Sequence, residues 1–211
     1  MAYSSVWYFS KTPNEILDPI CKYIEDFDNS FVESQLLKTN VYEGSVTNKN
    51  IRSSKHAWIE SNHWIYGLIW HYINLANKSN FLYDIECMDG NTIQYTKYES
   101  GDFYTWHADT MIDYAYRPEI CRSTQQNVAQ DKVNVLGESS RKLSFVMQLS
   151  NPDEYEGGEF QLLDQDRKIH FMPKERGSMI IFDSRLSHRV RKIKSGIRKS
   201  IVGWAVGPRW R

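Results

Sequence analysis

From about residue 81 to residue 206 the chain reads as a succession of short strands, and that rhythm constrains its fold more than any other feature. Strand-length runs lie near 82–87, 92–99, 103–109, 142–150, 158–163, 167–171, 178–183, 188–193 and 197–206. Turn formers separate them: Asp89-Gly90-Asn91, Gly101-Asp102, Gly157-Gly158, Gly177 and Lys194-Ser195-Gly196. Segments this short bury little alone and must be layered. Turns at this spacing predict a β-sandwich or barrel, including the jelly-roll type.

The region before residue 90 reads as helical support, with one short strand at 41–46. Thr12, Pro13 and Glu15 predict a helix start, with Thr12 as N-cap and Glu15 closing a capping box. Ile16, Leu17, Ile20, Cys21, Ile24 and Phe27 then recur at helical spacing. A second helix is predicted from Ser61 or Asn62. Its apolar face is Trp64, Leu68, Ile69, Tyr72, Leu75 and Ala76, and it frays at 77–80. The expected architecture is one domain over 1–211, with helices at 1–90 covering one outer face of a β core at 91–206. Within 142–150, Leu143, Phe145, Met147 and Leu149 share a face that should pack on the helices. Ser144, Val146, Gln148 and Ser150 share the other, which meets solvent or lines a polar cavity; Gln148 is therefore a pocket candidate. Residues 110–141 fit no element, and a lid over a site and plain surface disorder both suit them.

Lys+Arg and Asp+Glu balance at 26 each, so the basic excess that favours nucleic acid or a membrane surface is missing. Arg189, Arg191, Lys192 and Lys194 read as a solvated strand edge. Cys21, Cys87 and Cys121 are dispersed, without a zinc-type pairing, which suits a reduced, cytoplasmic protein. There is no N-terminal apolar segment and no run of about 18 apolar residues, so neither a signal peptide nor a membrane span is expected.

Three residues carry the chemistry. His107 and Asp109 are two apart on a predicted strand, so both can reach one ion from the same face. Imidazole and carboxylate suit Fe(II) and similar ions. A second histidine from another strand would complete a two-His-one-carboxylate triad, leaving three coordination positions open. His188 is the best third ligand. His63 and His71 fall on the second helix, His56 in a loop, and His170 in a short strand with a structural role. A tight turn at 194–196 predicts a hairpin of 188–193 with 197–206, turning His188, Arg198, Ser200 and Trp204 to one side. Arg198 there offers a planar fork matched to a carboxylate.

These residues resemble a family. The stretch 98–109, with Tyr98, Gly101, Tyr104, His107 and Asp109, is similar to the Fe(II)- and 2-oxoglutarate-dependent dioxygenases. So are 149–159, with Gly157, Gly158 and Glu159, and 188–200, with His188, Gly196, Arg198 and Ser200. The likeness is greatest to the prolyl 4-hydroxylase-like branch and its bacterial and phage PKHD-type hydroxylases. It implies a double-stranded β-helix (jelly roll, cupin-like) flanked by N-terminal helices. His107, Asp109 and His188 would bind Fe(II). Arg198, helped by Ser200, would hold the distal carboxylate of 2-oxoglutarate. Tyr98 would touch the co-substrate and Tyr104 the substrate, although simple alternation puts Tyr104 opposite His107 unless a bulge intervenes. Collagen-type prolyl hydroxylases carry Lys where this chain has Arg198, which argues against collagen-like specificity.

The implied reaction consumes molecular oxygen, converts 2-oxoglutarate to succinate and hydroxylates an unactivated C–H bond, with ascorbate admissible as reductant. Asp109 favours hydroxylation over halogenation. A prolyl residue of a peptide or protein is the first candidate substrate, a free amino acid or other small molecule the second, and a nucleobase the third. Two other classes compete: a zinc or manganese hydrolase or isomerase on a barrel, and a non-catalytic binding module. Arg198 and Ser200 argue against the first, and the intact triad against the second.

Overall fold

The computed structural model describes residues 7–25, 32–33, 51–110 and 139–208. The expected strand at 41–46, Phe27, Cys121 and 111–138 of the lid candidate lie outside the described residues. In chain order the elements are β1 (Trp7–Lys11), α1 (Asn14–Glu25), β2 (Val32–Glu33), β3 (Arg52–Ser53), β4 (Lys55–Glu60), α2 (Trp64–Ala76), β5 (Cys87–Met88), β6 (Thr92–Tyr98) and β7 (Phe103–His107). Then follow β8 (Ser139–Gln148), β9 (Tyr155–Gly157), β10 (Phe160–Leu163), β11 (Ile169–Phe171), β12 (Ser178–Asp183), β13 (Ser187–Val190), β14 (Ile193–Gly196) and β15 (Arg198–Pro208).

The large sheet runs β1-β12-β8-β15-β6-β4-β2, with β5 also on β15; the smaller runs β11-β10-β13-β7-β3; β14 and β9 form a separate pair. From β6 onward the chain alternates between the two: β6 large, β7 small, β8 large, β10 small, β12 large, β13 small, β15 large. This winding of one chain through two antiparallel sheets is the expected double-stranded β-helix. Period-two alternation divides each large-sheet strand between two cores. Leu143, Phe145, Met147, Met179, Ile181, Ile201 and Ala205 pack with Leu17, Ile20 and Ile24 of α1 and Ile65, Ile69 and Ile73 of α2. Val146, Ile180 and Phe182 point the other way and meet Phe160, Leu162 and Val190 of the small sheet. The helices thus cover the outer face, and the site occupies the space between sheets. Among the described residues no helix is long and apolar enough to cross a membrane.

Several local expectations are corrected. The Thr12 capping box does not form: the Thr12 amide donates to Gly177 O (2.8 Å), leaving Glu15 no donor to cap, and the Thr12 hydroxyl is buried without a partner. The buried stripe of α2 is Ile65, Ile69, Ile73 and Ala76, while Trp64 and Leu75 stand about half exposed. That helix is apolar nearly all round, so its sequence did not select the face; packing on the sheet did. His56 sits on β4, not in a loop. Strand structure at 82–87 is confined to Cys87–Met88, β8 starts at Ser139 inside the supposed lid, and β1 and β4 add strands to the helical N-terminal region. The hairpin of 188–193 with 197–206 is absent. β13 pairs with β7 and β10, β14 with β9, and β15 with β6 and β8. Gly196 (φ 77°) does make a tight turn there, packed so closely that a Cβ would lie 2.1 Å from Glu154 O, but the turn hands the chain to the other sheet.

Gly177 (φ 84°) joins the start of α1 to β12. Its carbonyl accepts from Thr12 N, and a Cβ there would fall 2.4 Å from Thr12 O. Gly177→Ala is expected to destabilise the fold by about 2 kcal/mol. Urea denaturation measures this, and an unchanged midpoint would show that the junction tolerates a side chain.

Candidate metal centre

His107 closes β7 and lies directly across from His188 on β13. Both imidazoles therefore leave the small sheet toward the interior, with ring centroids 4.1 Å apart. Asp109 lies beyond the strand end, so alternation within a strand does not place it. It is held by its own contacts: Asp109 N and Thr110 N both donate to Ser184 O (3.0 and 3.2 Å). Ser144, on β8 of the opposite sheet, donates to Asp109 Oδ2 (2.6 Å) and stands 2.9 Å from the Ser184 hydroxyl. Asp109 Oδ1 is 3.8 Å from His107 Nε2, and Oδ2 is 3.4 Å from His188 Nε2. One donor atom from each residue lies within 4.8 Å of the others, the only such group of His, Cys, Asp or Glu among the described residues.

The proton positions suit coordination. His107 Nδ1 lies 2.8 Å from Thr105 O, and His188 Nδ1 2.9 Å from Leu186 O. A carbonyl only accepts, so each Nδ1 carries the hydrogen and each Nε2 presents its lone pair. Burial, then the neighbouring His188, pushes the His107 imidazole down to about 3 despite the opposing Asp109 charge. Burial raises the Asp109 carboxyl, but His188, His107, Arg141 and the Ser144 hydrogen bond outweigh it and hold the group at about 2. A neutral imidazole and an ionised carboxylate are the ligating forms. Two imidazole nitrogens and one carboxylate form a donor set that fits Fe(II) with open positions.

Arg198 and Ser200 reach the same interior from β15 in the large sheet, not by the hairpin route. Arg198 is 1 % exposed; Nη1 donates to Ser200 Oγ (3.2 Å), while Nε and Nη2 are buried without hydrogen-bond partners. Two parallel orphaned N–H donors match a carboxylate. Tyr98 lies opposite Arg198 in the register, its ring 5.5 Å from the guanidinium. Gln148 lies opposite Ser200, 2 % exposed, with Oε1 unpartnered. Trp204 shares the interior-facing side of β15, neighbours Ser144, and has the Arg141 guanidinium over its ring at 3.9 Å. Arg141 in turn pairs with Asp89 (2.7 Å).

Tyr104 does join the site, because the register shifts between His188 and Val190, where three steps of β7 oppose two of β13. That bulge brings Tyr104 to the face of His107, and the rings stack at 3.5 Å and 15°. Burial first raises the Tyr104 phenol well above its ordinary value, so it stays protonated. The other described histidines do not converge. His63 caps α2 through Nδ1 and stacks on Tyr23, and His170 lies 2.6 Å from Asp164. Sequence reasoning missed Ser144 as a partner of Asp109, although it had assigned Ser144 to the polar side of its strand. It also missed Arg52, on a two-residue strand with no periodic signal.

A family model described as the 2OG-Fe(II) oxygenase superfamily matches residues 93–206. Among curated relatives, a PKHD-type hydroxylase of Synechococcus sp. (strain CC9902) is 33% identical over 116 residues, 54% of this chain and 40% of that protein. Another, of Rippkaea orientalis, is 29% identical over 115 residues, 54% of this chain and 42% of its own length. The match thus spans less than half of these relatives. A Pseudomonas putida prolyl-4-hydroxylase superposes with TM-score 0.65 at 18% identity, covering 97% of this chain and 94% of that one. A Trichoplax adhaerens prolyl hydroxylase, solved with a hypoxia inducible factor peptide fragment, gives 0.67 at 16% identity, covering 95% and 83%. At such identities these structures establish a common fold.

Ser144→Ala would leave Asp109 Oδ2 without its serine donor. Affinity for Co(II), titrated by absorption in the metal-free protein, is expected to fall about tenfold or more. Unchanged affinity would mean that the hydroxyl does not orient the carboxylate.

Proposed function

The chain belongs to the 2OG-Fe(II) oxygenase superfamily, and from that premise we propose that it hydroxylates an unactivated C–H bond, with a prolyl residue of a peptide or protein as first candidate substrate and a free amino acid or other small molecule as second. The observation that carries the reading is the pairing of two features in one interior. His107, Asp109 and His188 converge within 4.8 Å, and Arg198 offers two buried, unpartnered N–H donors. A metal hydrolase would use the first and have no need of the second.

Bound Fe(II) and 2-oxoglutarate supply the oxidising power: oxygen is consumed, the co-substrate becomes succinate and carbon dioxide, and the substrate gains a hydroxyl. The residues of the chain bind and orient. His107 and His188 offer Nε2, with each ring fixed by its Nδ1 hydrogen bond. Asp109 supplies one negative charge, aimed by Ser144. Arg198 and Ser200 hold the far carboxylate of the co-substrate beside Tyr98. Phe160 and Phe182 lie edge-on to the His188 ring and keep water from that side. Tyr104, stacked on His107, lines the substrate side, and Trp204 and Gln148 complete the pocket. The whole of 1–211 serves as one catalytic domain, working in the cytoplasm. The hypoxia inducible factor peptide fragment in the Trichoplax structure supports a peptidyl substrate.

Succinate formation from 2-oxoglutarate, with Fe(II) added anaerobically before air, tests this. Wild type is expected to turn over and His188→Ala is not; wild type that binds neither iron nor 2-oxoglutarate would sink the proposal. Arg198→Ala should raise the 2-oxoglutarate requirement about a hundredfold while iron affinity changes little. Equal loss of both would assign Arg198 a structural role.

A further inference from the structure

Arg52 takes no part in the chemistry above, yet it is a buried cation next to the metal centre. It sits on β3 opposite Tyr104 of β7, is 8 % exposed, and holds its guanidinium 4.8 Å from the Tyr104 ring centroid. Tyr104 in turn stacks on His107. Arg52 Nε donates to Ser54 Oγ (3.0 Å), and Nη2 reaches across the interior to Gln94 Oε1 on β6 (3.1 Å). Gln94 also accepts from Thr96 (3.3 Å), so it is committed to this wall as an acceptor. Every partner is neutral. Among the described residues Arg52 has no carboxylate partner, and Nη1 makes no hydrogen bond.

The register places this cation level with the metal ligands. Gln94 lies opposite Val202, Val202 opposite Val146, and Ser144, which holds Asp109, is two residues from Val146 on the same face of β8. Charge balance shows what Arg52 lacks. A divalent iron and Arg198 bring three positive charges; Asp109 and the 2-oxoglutarate dicarboxylate bring three negative. Arg141 is already paired with Asp89. The nearby His56 is buried and pushed down to about 4, first by burial and then by Arg52 itself, so it adds no charge at neutral pH. Arg52 is a cation held only by neutral partners, in a place where an uncompensated charge is costly. Its guanidinium lies 4.8 Å from the Tyr104 ring centroid, beside whatever packs against that residue.

We propose that Arg52 anchors a carboxylate of the primary substrate, so that the molecule hydroxylated carries an anionic group close to the bond attacked. This rests on the oxygenase reading above. The carboxylate belongs either to a free amino acid or to an acidic residue of a peptide, and Arg52 recognises the same group in both.

The experiment uses the protein loaded with Mn(II) and 2-oxoglutarate under argon, where no turnover occurs. Two matched probe sets are titrated by intrinsic tryptophan fluorescence. One holds the common free amino acids and their carboxamides. The other holds blocked peptides of sequence Ala-Pro-Glu-Ala and Ala-Pro-Gln-Ala. In wild type an acid is expected to bind about tenfold or more tightly than its own amide, as a charge-assisted hydrogen bond allows. The set in which this occurs identifies the source of the carboxylate. In Arg52→Gln the ratio should fall to about one, and Arg52→Lys should restore part of it. Acids and amides binding alike, neither set binding, or a ratio that survives Arg52→Gln would overturn the proposal. Binding of 2-oxoglutarate to wild type and its loss in Arg198→Ala are measured alongside. Wild type that fails to bind 2-oxoglutarate overturns the oxygenase reading and this one with it; intact binding without carboxylate selection overturns this one alone.

Discussion

β8 and β15 lie side by side in the middle of the large sheet, and their alternation sets the conditions for the rest of the molecule. One side carries Leu143, Phe145, Met147, Ile201 and Ala205 into the helices. The other carries Ser144, Gln148, Arg198, Ser200 and Trp204 into the space between sheets. The period is two, so a slip of one residue would bury the polar set against α1 and α2 and turn the apolar set toward the site. The helices are therefore part of how the site is specified, although neither contributes a metal ligand.

Within that interior the recurring problem is buried charge. Asp109 is tolerated because two imidazoles, a serine hydroxyl and the nearby Arg141 face it. Arg141 is tolerated because Asp89 and the Trp204 ring receive it. Arg198 and Arg52 differ: their hydrogen-bond partners are neutral, and Arg198 keeps Nε and Nη2 buried without partners. Burying a cation among neutral partners is costly, so these two arginines are the charges in this interior that an incoming anion would relieve.

Much of this is legible in the amino-acid sequence. The strand rhythm predicts the layered β architecture, and the alternation in 142–150 separates the helix-facing residues from a polar face that only the structure assigns to the interior rather than to solvent. His107, Asp109, His188, Arg198 and Ser200 were singled out by type and spacing, and they do share one interior. The local route to that grouping was partly mistaken. The spacing predicts a hairpin joining His188 to Arg198, whereas the two stand on facing sheets. Asp109 was placed by alternation on a strand that has already ended at His107. Tyr104 depended on a bulge, which only the pairing of β7 with β13 reveals. The burial stripe of α2 was misjudged because a helix apolar on most sides has no preferred face until it meets a sheet.

The amino-acid sequence by itself determined the kinds of donor present and the order of strands that carry them, because ligand chemistry and period-two alternation are properties of residues and short segments. Only the tertiary structure decided which strands became neighbours, where Asp109 is clamped between Ser184 and Ser144, and that Arg52 lies beside Tyr104 among neutral hydrogen-bond partners. Those outcomes depend on contacts between residues far apart in the chain, chosen by how two twisted sheets and two helices fill a common space, and no local pattern encodes them.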